Sequence, residues 1–136
     1  DIKLKPEGWK GENLSGYIFL AVDSIEVRKE IVEQHMNNMN IKAVFDVRTL
    51  LTGAQSFAAD WSDVKQKQAL LNTMDFTHEE AAESTPTSAC GVVLGVVTTV
   101  RLISSLCVNN FIKFTKGEGL WTVILMDGFE GTLTCL

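Results

Sequence analysis

The chain is poor in the residues on which most recognisable chemistry is built. It has two histidines, His35 and His78, so one chain cannot assemble a site of three or more histidines around a metal. Its three cysteines, Cys90, Cys107 and Cys135, form no CxxC pair and no Cys/His ligand spacing. A sparse, odd set fits reduced thiols packed as small hydrophobes in a cytoplasmic protein. Bases are scarce too: 12 Lys and Arg stand against 17 Asp and Glu, a net charge of −5, with no run of Lys or Arg. That argues against a general nucleic-acid binder, which needs a basic footprint. GxGxxG and GxxxxGK[ST] are missing, so a glycine loop cradling phosphates is unsupported. Gly91 and Gly95 are better explained by close packing of a strand on a helix. No metal and no cofactor is expected.

One apolar stretch is long enough to raise a membrane question, "ACGVVLGVVTTVRLISSLCV" from Ala89 to Val108. Its length of about 20 residues could span a bilayer. Arg101 would lie past the midpoint, however, and Thr98, Thr99, Ser104 and Ser105 dilute the run. A buried strand running into a helix is the better reading, and no membrane partner is expected.

What the chain has is apolar content, 46% over 136 residues. That is enough for one ordinary domain, or two very small ones, burying roughly two thirds of the unfolded surface. Residues 1–15 read as an irregular lead-in packed down through Trp9. "GYIFLAVD" (16–23) reads as a buried strand. Asp23 and Glu26 have capping-box spacing for a helix whose inner face is Val27, Ile31, Met36 and Met39, flanked by Val32 and His35. "IKAVFDVR" (41–48) alternates as a strand with one buried and one partly wet face. A turn around Gly53 leads to a short return strand, "QSFAADW". Ser62 then caps a second amphipathic helix with Val64, Leu71 and Met74 inward.

Residues 75–89 turn acidic and then Ser/Thr/Pro-rich, the composition of a linker between half-units 16–74 and 90–136. The second half predicts a strand at 91–97 and a helix from Thr98 to Asn109–Asn110. Three meander strands follow, 111–115, 120–126 and 129–135. Asp127-Gly128 between two apolar runs is a strong hairpin signal. Both halves read strand, helix, strand, strand. The expected fold is therefore α+β: a ferredoxin-like style of sheet with two or three helices packed on it and a C-terminal antiparallel meander. The alternative is an α/β sheet with helices on both faces.

The stretch "VILMDGFEGTLTCL" resembles, over fewer than ten residues, the aspartate loop of haloacid-dehalogenase-like phosphatases. Those carry Asp-x-Asp-Gly-Thr after a buried strand. Here Glu130 precedes Gly131-Thr132, which puts Gly128 at the nucleophile position, with no side chain to attack phosphorus. A turn with Glu130 on an exposed strand is the better account. Asp127 and Glu130 could share a hard cation, but such a site needs six or more oxygens or several waters. His78 ahead of Cys90 has the residue types of a base and thiol nucleophile, yet lies in the linker composition with no oxyanion element. His35 reads as a boundary residue of the first helix. Trp61 and Trp121 read as core, with a ligand pocket or oligomer face as the functional alternative.

These residues point first to a small non-enzymatic binding, regulatory or assembly module that self-associates through its sheet as a homo-oligomer. In 120–126 only Thr122 is polar, and a strand apolar on both faces has to be covered. A protein partner or a small ligand is compatible with the same surface. The alternatives are an enzyme whose site gathers Cys90, His78, Asp127 and Glu130 across the chain or between subunits, and a domain excised from a larger polypeptide. The start at Asp1 without an initiator methionine and the end at "TLTCL" suggest the latter.

Overall fold

The computed structural model describes residues 2–4, 8–76 and 97–136. Within them the order is β1 (Gly16–Leu20), α1 (Ile25–His35), β2 (Ile41–Thr49), β3 (Gly53–Asp60), α2 (Val64–Asn72), α3 (Val97–Thr115), β4 (Val123–Asp127) and β5 (Thr132–Cys135). All five strands share one sheet, ordered β1-β2-β3-β4-β5. β1 and β2 are parallel, as a helical crossover allows, and every later pair is antiparallel. The fold is therefore α+β with a mixed sheet.

The ferredoxin-like arrangement is not what forms. Its two βαβ units would interleave their strands, whereas here neighbours in the chain are neighbours in the sheet. Nor do the helices share one face. Ile18, Leu20, Val44 and Ala59 turn toward α1 and α2, packing with Ile25, Ile31, Val32, Trp61, Leu70 and Met74. The opposite face presents Ala43, Phe45, Ala58, Ala54, Ile124 and Met126 to α3. Covered on both faces, β2 is buried continuously from Ala43 to Asp46, so its alternation does not mark a wet side.

Both early helices start one residue later than the capping pattern predicts. Ser24, not Asp23, caps α1 by accepting from Val27 N at 3.2 Å. Asp63, not Ser62, caps α2, taking Lys65 N at 2.8 Å and Gln66 N at 3.2 Å. The buried stripe of α1 is Ile25, Arg28, Ile31, Val32 and His35, while Met39 is 92% exposed. Val64 is also exposed, leaving Leu70 and Met74 as the inward anchors near α2.

The strand expected over 111–115 is the last turn and a half of α3. Asn109–Asn110 do not stop the helix because the Asn110 side chain is satisfied from outside it. Its Nδ2 donates to the Trp121 carbonyl at 2.8 Å, and its Oδ1 accepts from Trp121 N at 2.9 Å. The stop is Gly117, whose φ of +73° suits the left-handed position after a helix and whose N–H reaches Phe114 O at 3.0 Å. Two strands, β4 and β5, thus replace the three-strand meander. The strand predicted over 91–97 lies outside the described residues up to Val97, which begins α3. β1, read as buried, is an edge strand among the described residues, its positions alternating between half-buried and exposed up to the buried Leu20.

Candidate functional site

Asp127 ends β4 and Glu130 lies within the four-residue connection that follows, Gly128 to Gly131, which replaces a two-residue Asp-Gly turn. Asp127 organises it. Its Oδ1 accepts from Phe129 N at 2.8 Å and Glu130 N at 3.0 Å, and its Oδ2 accepts from the Thr52 hydroxyl at 3.0 Å. The Glu130 and Phe129 amides, then Thr52, hold the Asp127 carboxyl below the usual carboxylate range. Gly131 supplies the left-handed residue, φ +67°, that returns the chain into β5. Phe129 and Gly131 therefore sit in the turn and do not share a strand face with Leu133 and Cys135. Every strong interaction of Asp127 is spent on the backbone and on Thr52, and the exposed Glu130 contributes only its N–H. The pair is a loop clasp.

A denser constellation went unpredicted. Asp46, fully buried on β2, lies between two guanidinium groups. Arg28 Nη1 donates to Asp46 Oδ1 and to the Val47 carbonyl at 3.0 Å, and its Nη2 donates to the Val22 carbonyl. Arg48 Nε donates to Asp46 Oδ2 at 2.7 Å, Nη1 to Thr73 O at 2.7 Å, and Nη2 to Thr73 Oγ1 at 2.8 Å. The Arg48 guanidinium also lies 4.6 Å from the Phe57 ring centroid. One carboxylate thus joins the loop after β1, the α1 stripe, β2 and the end of α2. Both its oxygens are engaged by arginine, so it works as a tie. A sequence signal existed: Arg28 occupies the inward stripe of α1, and Asp46 and Arg48 fall two apart on a strand, hence on one face.

His35 is buried inside the fold and is not at its boundary. Its Nδ1 lies 2.8 Å from Ile31 O, and its Nε2 accepts from Leu14 N at 3.1 Å. Those partners assign the proton to Nδ1 and leave neither nitrogen for a ligand. Trp9 meets the ring edge-on at 6.1 Å between centroids, and Trp61 Nε1 donates to the His35 carbonyl at 2.9 Å. His35 thereby pins the lead-in segment to the end of α1. Trp61 is core. Trp121 is half-buried just ahead of β4, with Lys113 Nζ 5.2 Å from its ring centroid.

Burial pushes the Cys107 thiol up, partly offset by the Ser56 hydroxyl beside it. Ser56 Oγ, itself buried, has no full-strength hydrogen bond among the described residues. A thiol is a weak partner. His78, Cys90, Gly91 and Gly95 lie outside the described residues, so the proposed His78/Cys90 pair is not placed. Among the described residues no three His, Cys, Asp or Glu side chains gather as a metal site requires, and no helix is long and apolar enough to cross a membrane.

The remaining feature is a surface. On the α3 side of the sheet, Tyr17 and Phe19 are 41% and 46% exposed on the edge strand, and Val97, Val108 and Ile112 are exposed along α3. Tyr17 and Phe19 are held edge-on against Phe111, at 5.0 and 5.5 Å between centroids, and Phe19 stacks on Phe45 at 5.0 Å. No acidic residue occurs from Val97 to Gly117. Compared with protein-family profiles, characterised proteins and solved structures, the chain matches none.

Proposed function

We propose that this chain is a non-enzymatic assembly module that joins a second copy of itself through the α3 side of its sheet. One observation carries the reading: that side exposes apolar and aromatic side chains with no acid among the residues of α3 or β1. In a chain of net charge −5, two copies repel each other wherever their carboxylates meet. A surface free of acids is where that repulsion is weakest and where apolar burial brings the largest gain. The chemistry of the other candidates supports the same direction, since Asp46, Asp127 and His35 each spend their polar atoms on internal bonds. Size-exclusion chromatography with light scattering tests it. The expected result is the mass of two chains at micromolar concentration. One-chain mass across the accessible range removes the proposal.

A further inference from the structure

Within that self-association reading, the geometry points to the outer edge of β1 as the joint, with two copies pairing β1 antiparallel to β1 about a twofold axis. An edge strand presents a row of unpaired N–H and C=O groups, and native proteins usually guard it with lysine, proline or an inward charge. Between Gly16 and Leu20, "GYIFL", there is none of these. Among the described residues β1 has a neighbour only on its β2 side. The groups left over call for an extended strand, and an antiparallel copy satisfies them symmetrically, because a twofold contact is self-complementary.

The side chains argue for β1 over the other edge. With the axis at Ile18, the middle of the five-residue strand, Tyr17 of one copy lies opposite Phe19 of the other on the α3 side. Aromatic cross-strand pairs are among the stabilising ones. Both rings are already fixed against Phe111 and Phe45, so little freedom is lost on docking. β5 offers four residues, mostly exposed, with threonines on one face and Leu133 as its only large apolar side chain. Neither β1 nor α3 contributes a carboxylate that would face its own image.

The test is sedimentation velocity of the whole chain and of two edge variants, Tyr17→Lys and Leu133→Lys, with circular dichroism as the check on folding. The expected result is a two-chain species for the parent and for Leu133→Lys, and its loss in folded Tyr17→Lys. If folded Tyr17→Lys still sediments as two chains, the β1 joint is wrong while the association reading stands. If the parent is a single chain throughout, both fail. Should Tyr17→Lys not fold, amide exchange of the parent decides the matter. Tyr17 and Phe19 amides that gain protection with concentration support the joint. Amides equally protected at every concentration, in a two-chain species, assign the edge to another segment of the same chain and overturn it. Amides unprotected throughout overturn it as well.

Discussion

Seen from outside, α1 and α2 present Glu26, Glu30, Glu33, Lys65, Gln68 and Asn72 to water, whereas α3 presents Val97, Val100, Leu102, Val108 and Ile112, interrupted by Arg101 and small serines. The interiors differ in the opposite sense. Beneath α1 and α2 lies the Arg28–Asp46–Arg48 tie, and beneath α3 the buried polar groups are the neutral Ser56, Thr99 and Asn110. The first side keeps its charge both outside and at one fixed internal point, as a solvated layer held in register would. The second buries no charge and is largely apolar on its outside, which suits a layer finished by another surface. Buried ion groups of this kind add less net stability than their contacts suggest, but removing one member is costly.

The sharpest way to break the contrast is Asp46→Ala. Two guanidinium groups would be left without their carboxylate, and a loss of about 3–5 kcal/mol in chemical denaturation is expected. Truncation under α3 acts by cavity instead: Ile103→Ala, at a fully buried position, should cost about 2–5 kcal/mol with no charge left unpaired. The two can be told apart because restoring an apolar side chain at position 103, Ile103→Val, recovers most of the loss, whereas Asp46→Leu does not quiet the arginines. A smaller effect, about 1 kcal/mol, is expected for Asp63→Ala, which removes the cap of α2, measured by the same unfolding curves.

The smallest is a pH effect at the hairpin. The Asp127 carboxyl is held below its ordinary value in the folded chain, so its contribution is present above the unfolded carboxylate pKa and is lost as pH falls through the lower folded value. Asp127→Asn should therefore be less stable than the parent near neutrality. The gap should close below about pH 4, the ordinary aspartate range. A gap that stays constant down to acid pH would mean that the carboxylate charge has no part in holding the turn.

The parts legible in the sequence were those whose pattern is local. β2 and α1 lie where the local pattern puts them, although Met39 is exposed and β2 is covered on both faces, and the Asp127 turn carries its own chemistry. What misled was set by distant partners. Residues 111–115 look like a strand until Asn110 is seen bonded to Trp121, and then Cys107, Phe111 and Phe114 fall on one side of a helix. "GYIFL" is apolar enough for a central strand, and nothing within it tells that one flank has no neighbour among the described residues. Thr52 completes the Asp127 clasp from 75 residues away, and Arg28 reaches Asp46 across 18. A pairwise count along the chain does not reveal which charges share a buried point.

Hydrogen–deuterium exchange of the parent protein at low and high concentration tests the central contrast most directly, because it reads both sides of the sheet and both of its edges together. The predicted result is slower exchange at high concentration for the amides of Tyr17 and Phe19, with those of α1 and of Thr132 to Cys135 unchanged. Identical exchange at β1 in both samples would contradict the account.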